Sequence, residues 1–245
     1  MARIAIVTGG GRGIGAATSL LLAAQGWDVA VAYRSDEAAA NAVVAGCAGR
    51  ALAVRCDVAD ERDVVALFAV VDERLGAVGA LVNNAGIVAP RARVDEMTAE
   101  RVERLLAVNV LGTVLCAREA VRRMSTAHGG VGGVIVNVSS VAARLGSPGE
   151  YVDYAASKGA VDTFTIGLAR EVAREGIRVN AVRPGQVDTD IHASGGEPGR
   201  AQRLGPETPA GRPGTADEVA AAIGWLCSDA ASYVNGALLD VGGGR

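Results

Sequence analysis

The sequence predicts a single α/β domain: a doubly wound parallel β-sheet of about seven strands with helices on both faces. Three observations carry the prediction. Short β-branched runs alternate with amphipathic helical segments along almost all of the 245 residues. The predicted strands are apolar on both sides, as a sheet covered from above and below requires. No Pro/Ser linker and no repeat of fixed period divides the chain, so residues 1–245 read as one unit.

The strand readings, in order, are Arg3–Thr8, Asp28–Tyr33, Ala51–Arg55, Ala80–Asn83, Val134–Ser139, Arg178–Val182 and Leu238–Val241. Helical patterns fill most of the gaps. One follows the first strand through Leu22, one reads continuously from Arg101 to Arg122, and one starts near Thr215. The exception is the stretch 188–213, where Gly, Pro and polar residues crowd together. A loop of that length in a compact fold is usually functional, and it reads as a substrate lid.

Composition narrows the function. Half of the residues are apolar, only 3% are aromatic and 33 are glycine, a mixture suited to close-packed helices and strands joined by tight turns. The formal net charge is −3 and no Lys/Arg run forms a patch, which argues against nucleic acid and for small-molecule partners. The four cysteines are widely separated and read as reduced, small apolar side chains. His128 and His192 lie far apart without a local carboxylate cluster, so no metal site is expected. No apolar stretch reaches the ~18 residues of a membrane span, and the expectation is a soluble, cytoplasmic protein.

Two local patterns carry chemistry. The first strand runs into Thr8-Gly9-Gly10-Gly11-Arg12-Gly13-Ile14-Gly15 and then a helix. A glycine-rich turn there presents backbone N–H groups and the positive dipole end to a diphosphate. The second is Tyr154 and Lys158, four residues apart in Tyr-Ala-Ala-Ser-Lys, which share one face if the stretch is helical. A phenol titrates near ~10, and a lysine one turn away favours its ionised form. Surface helices also carry Tyr and Lys at this spacing, so the pair alone decides nothing.

Thr8 to Gly15, Asn83-Asn84-Ala85-Gly86, Asn109, Ser139-Ser140, Tyr154 to Lys158 and Pro184-Gly185 together resemble, in order and approximate spacing, the short-chain dehydrogenase/reductase family, across essentially the whole chain. Within the family the chain looks most like bacterial NADP-dependent carbonyl, sugar or 3-oxoacyl reductases. The resemblance implies a Rossmann-type domain, a nicotinamide cofactor, a carbonyl or alcohol substrate and a homotetramer. Gly9, Gly13, Ile14 and Gly15 would receive the diphosphate. Asp57 and Val58 would contact adenine, and Asn84, Ala85 and Gly86 would line the ribose side. Pro184 and Gly185, at the end of the sixth strand, would line the cofactor, and Val187 and Thr189 would hydrogen-bond the nicotinamide carboxamide.

A carboxylate at the end of the second strand would hold a ribose 2′-hydroxyl, whereas a cation would receive a 2′-phosphate. This chain has Tyr33-Arg34-Ser35 there and Arg12 in the glycine turn, which favours NADP(H) over NAD, with Asp36 close enough to keep the second choice open.

Hydride transfer leaves an alkoxide that must be protonated. Tyr154 is the expected acid, and the base in the oxidative direction. Lys158 would lower its pKa and hydrogen-bond the nicotinamide ribose. Ser140, at the end of the fifth strand, would polarise the substrate carbonyl, although Ser139 competes for this role because strand register is open. Asn109 would fix a water leading to Lys158, or else serve as a buried structural amide. Tyr151 has Ala155 rather than a cation four residues on and reads as a pocket wall. The segment from Ser140 to Tyr154 is one residue longer than is common in the family, with Ser147-Pro148-Gly149-Glu150 as the site of the extra residue. The rival functions are an NAD-dependent alcohol or sugar dehydrogenase and a cofactor-binding regulator without catalysis.

Overall fold

The structure, a computed structural model, describes residues 3–189, 191 and 195–245. Seven parallel strands form one sheet in the order β3-β2-β1-β4-β5-β6-β7, with β1 Ile4–Thr8, β2 Asp28–Tyr33, β3 Ala51–Arg55, β4 Ala80–Asn83, β5 Gly133–Val138, β6 Ile177–Pro184 and β7 Leu238–Val241. The chain starts in the middle, winds outward through β2 and β3, and returns to the other side of β1 at β4. That reversal opens a crevice beyond the carboxyl ends of β1 and β4, the usual ligand position in such sheets.

Every strand except β7 feeds two cores. In β1 all five residues are buried, but Ile4 and Ile6 join one apolar cluster while Ala5 and Val7 join the other. Alternation of side chains across a pleat thus produces a run that is apolar throughout rather than in every second position. The first core holds Leu67, Phe68 and Val71 of α3 (Glu61–Arg74) with Cys116, Ala120 and Met124 of α5 (Gly112–Met124). The second holds Leu22 of α1 (Gly13–Ala24) and Val219, Ile223 and Leu226 of the last helix, Ala216–Cys227.

Helix starts follow local chemistry. Asp36 caps α2 (Glu37–Gly46) by accepting the Ala39 N–H at 3.0 Å, and Asp60 caps α3 by accepting that of Arg62 at 2.8 Å. Thr215 and Glu218 form a capping box at the last helix. The segment expected as one helix from Arg101 to Arg122 is instead α4 (Ala99–Leu106), a π-helical turn at Ala107–Leu111, and α5. Spacing alone does not reveal one inserted residue, because the apolar faces before and after it still point to the same core. The 188–213 stretch holds its own short helix, α8 (Arg200–Leu204), after α6 (Ala142–Leu145) and α7 (Val152–Glu171), and before the last helix, α9.

Candidate active site

A cleft of about 960 Å³ runs along the carboxyl edge of the sheet. Its walls include all four residues expected to do chemistry except Asn109, and every expected cofactor contact except Gly15.

At one end lies the turn after β1. Gly9 and Gly13 have φ of +61° and +50°, a conformation that side chains strain. A β-carbon on Gly15 would stand 2.2 Å from the Gly9 carbonyl oxygen and 2.5 Å from Asn84 Nδ2, so only glycine lets α1 start this close to the turn. Asn84 secures the turn from below, its Nδ2 donating to the carbonyls of Thr8 (2.9 Å) and Gly9 (3.1 Å). Unlike α2, α3 and α9, α1 has no side-chain cap among the described residues, and its first turn lines the cleft. Its orphan N–H groups therefore fit a diphosphate. Thr189 closes over this turn, its Cγ2 3.2 Å from where a side chain on Gly13 would begin.

Arg12 and Arg34 flank the cleft at the end of β2. Asp36, the carboxylate that could have held a ribose hydroxyl, is occupied by capping α2, and its other oxygen is 4.0 Å from Arg12 Nε. Asp57 and Val58 line the same end, where Asp57 accepts the Ala59 N–H at 3.1 Å and meets Arg104 Nη2 at 3.4 Å. Ala85, Gly86, Pro184, Gly185 and Val187 continue the wall toward the other end. Val187 pairs with Gly214 in a short bridge that anchors the start of the 188–213 stretch.

At that other end, α7 brings Tyr154 and Lys158 onto one face. Lys158 Nζ lies 5.6 Å from the Tyr154 ring centre and donates to the Val138 carbonyl at 2.7 Å. Ser140 stands beside the Tyr154 phenol and favours its ionised form, while the serine Oγ accepts the Ala142 N–H at 3.1 Å. The two serines divide clearly: Ser139 is buried and donates to the Lys158 carbonyl at 3.2 Å, whereas Ser140 is the one beside the phenol. Asn109 sits in the π-helical turn, fully buried. Its Oδ1 accepts the Ile87 N–H (2.8 Å), and its Nδ2 donates to the Ile87 carbonyl (3.0 Å) and Ser157 Oγ (3.1 Å). Both N–H groups of the amide and one lone pair of its oxygen thus hold the loop beyond Gly86.

Burial sets the direction in which both groups of the pair move. Burial pushes Tyr154 up to about 12, with the Ser140 hydroxyl opposing, and pushes Lys158 down to about 8, with Asp162 opposing. The enclosure that brings the pair together also strips water from both, and desolvation penalises each charged form.

Beyond Tyr154 the mouth is charged. Arg200, the buried first residue of α8, lies 5.0 Å from the Tyr151 ring and pairs with Glu150 and with Glu197 (3.2 Å). Arg91 joins both carboxylates at 2.9 and 3.4 Å, and Arg203 meets Glu197 at 2.6 Å. Tyr151 is indeed part of the wall, donating to Glu197 at 3.4 Å. Ser147, in the stretch expected to carry the extra residue, is the one non-glycine with positive φ (48°) among the described residues. His192 lies outside the described residues.

Sequence reading missed two features of the site. Asp153, next to Tyr154, is a buried carboxylate paired with Arg101 Nε at 2.7 Å, and it also accepts the Tyr154 N–H at 2.9 Å. Lys158 is, moreover, the only lysine in the chain, among 23 arginines, a signal open to simple counting. No group of three or more metal-type ligands occurs among the described residues, and no described helix is long and apolar enough to cross a membrane.

A parallel sheet with a diphosphate-shaped turn at one end of a cleft and a Tyr-Lys-Ser cluster at the other defines a nicotinamide-dependent oxidoreductase. The comparisons agree. A family model described as enoyl-(acyl carrier protein) reductase matches residues 9–245. The chain is 56% identical over 245 residues to the uncharacterized oxidoreductase YgfF of Escherichia coli, covering 99% of each. Two solved structures are similar throughout. One is a short-chain dehydrogenase from Burkholderia cenocepacia in complex with NADP (36% identity, TM-score 0.90, covering 100% of this chain and 98% of that one). The other is a 3-ketoacyl-(acyl-carrier-protein) reductase from Brucella melitensis complexed with NADH (34% identity, TM-score 0.92, covering 99% and 98%). The chain belongs to the short-chain dehydrogenase/reductase family, and its class of activity is that of a nicotinamide-dependent oxidoreductase.

Proposed function

We propose that the chain interconverts a carbonyl and an alcohol with NADP(H), and that Tyr154, Lys158, Ser140 and Asn109 carry the chemistry. The observation that supports this most is the Ser140–Tyr154–Lys158 cluster facing the same cleft as the glycine turn. When bound, the nicotinamide supplies or accepts the hydride. Ser140 orients the carbonyl oxygen and Tyr154 delivers the proton to it. Lys158, held by the Val138 carbonyl, brings positive charge to the phenol, and a cationic nicotinamide adds to it, offsetting the burial that raises Tyr154. Both N–H groups of the Asn109 amide are taken, so a water it holds for Lys158 rests on a remaining oxygen lone pair.

Arg12, Arg34 and an Asp36 spent on capping support NADP(H) over NAD. The ion-paired mouth and a lid formed by residues 188–213 suit a small or polar carbonyl compound or polyol better than a steroid. Exposed Trp225 and Tyr233 are consistent with the homotetramer common in the family, and burial within one subunit does not account for them.

Tyr154→Phe should lower turnover of any active substrate by about 10²–10⁴-fold, with NADPH binding, read by fluorescence, nearly intact. Unaltered turnover would sink the mechanism and leave a cofactor-binding regulator as the better reading. Titration with NADPH and NADH tests the cofactor, and equal or tighter NADH binding would remove the roles given to Arg12 and Arg34 and favour an NAD-dependent alcohol or sugar dehydrogenase.

A further inference from the structure

Lys158 is buried to within 4% of full enclosure, and among the described residues its ammonium has one acceptor, Val138 O, for three N–H groups. One helical turn further along the same face of α7 is Asp162, itself only 6% exposed. Asp162 Oδ2 is held by Arg183 of β6, through Nη2 at 2.8 Å and Nε at 3.0 Å. Its Oδ1 is buried without a hydrogen-bond partner among the described residues. Arg183 in turn reaches Asp240 of β7 (3.5 Å), and Asp240 reaches Arg144 of α6 (3.3 Å). A buried carboxylate is costly unless something uses its charge.

We propose that Asp162 is a positioning residue: its buried carboxylate, oriented by Arg183, keeps the Lys158 ammonium charged and in place beside Tyr154. The proposal rests on the reading of Tyr154 and Lys158 given above. The charged or titratable groups around Lys158 are few. Tyr154 and Asp162 lie on its own helix, and β6 offers Arg183 behind Asp162. The β5 end offers only Val138 O and the Ser139 hydroxyl, and the π-turn only the neutral Asn109. Among the described residues Asp162 is therefore the one anion near an amine that burial drives toward neutrality, and it acts across a dry helix face where little water screens it. A neutral amine would offer Tyr154 no charge at all.

Because the chain has a single lysine, the test needs no assignment. Protein grown with ¹³Cε-labelled lysine and a lysine-free tag gives one side-chain resonance, whose chemical shift is followed from about pH 6 to 10 without cofactor. The wild-type midpoint is expected near 8. Asp162→Asn, which keeps shape and a partner for Arg183, should move it down by about half a unit or more, whereas Asp162→Glu should leave it within a few tenths. An Asp162→Asn midpoint equal to wild type, or an Asp162→Glu midpoint shifted as far as that of Asp162→Asn, overturns the proposal. Should Asp162→Asn fail to fold, Asp162→Ser, which also removes only the carboxylate charge, is judged by the same downward shift. In the pH profile of carbonyl reduction the upper limb should move down with the midpoint; a purely structural role would lower the amplitude and leave the limb in place. The resonance requires no substrate, so an active Tyr154→Phe would refute the catalytic reading without touching this test, and an unshifted Asp162→Asn would refute the inference without touching that reading.

Discussion

Replacing Lys158 by methionine should abolish the proposed chemistry and yet change stability in a direction set by pH. Burial lowers this amine from its ordinary 10.5 to about 8, so the folded chain pays to keep it charged. Below about pH 8 both folded and unfolded chains hold the proton, and the full cost is present, about 3 kcal/mol. Between about 8 and 10.5 the unfolded chain still holds the proton while the folded chain has released it, so stability rises with pH and the cost disappears. Methionine removes this term but leaves the Val138 carbonyl without its donor, a loss of about 1–3 kcal/mol. Near pH 7 the variant should therefore match or exceed the wild type by up to about 2 kcal/mol, and near pH 10.5 it should be the weaker by about 1–3 kcal/mol. Tyr154, Cys56 and Cys227 are pushed up to about 12 and destabilise the folded chain at alkaline pH in both proteins, so only the difference between the two is diagnostic. Urea unfolding of the cofactor-free proteins at matched concentration measures it. A difference that stays constant from pH 7 to 10.5 would refute the claim that burial strains this lysine.

Gly15→Ala places a β-carbon 2.2 Å from the Gly9 carbonyl, so the turn or α1 must move; NADPH binding should weaken at least tenfold and stability should fall by about 1–3 kcal/mol, read by fluorescence titration and thermal melting. Arg101→Met strands the buried Asp153 carboxylate and should cost about 3–5 kcal/mol, whereas Arg101→Met combined with Asp153→Leu should recover much of it; equal losses in both would show that the pair is not the cause.

The strands were the most legible part of the chain. Four of the seven expected ranges match the structure at both ends, because a strand buried on two faces must be apolar throughout and its turns need glycine. The glycine turn and the order of motifs were equally plain. The π-turn at Asn109 was not, since a single extra residue leaves the hydrophobic pattern almost unchanged. Nor was the pairing of Arg200 with Glu150, which lies 50 residues away in sequence.

What the sequence determined by itself is the architecture and the identity of the groups at each end of the cleft, because periodicity, glycine conformation and residue type are local properties. Only the tertiary structure decided which serine faces Tyr154, what engages Asn109, and which way the Tyr154 and Lys158 equilibria move. Those outcomes depend on how much water each group loses and which charges surround it, and both arise from segments far apart in the chain that the fold brings together.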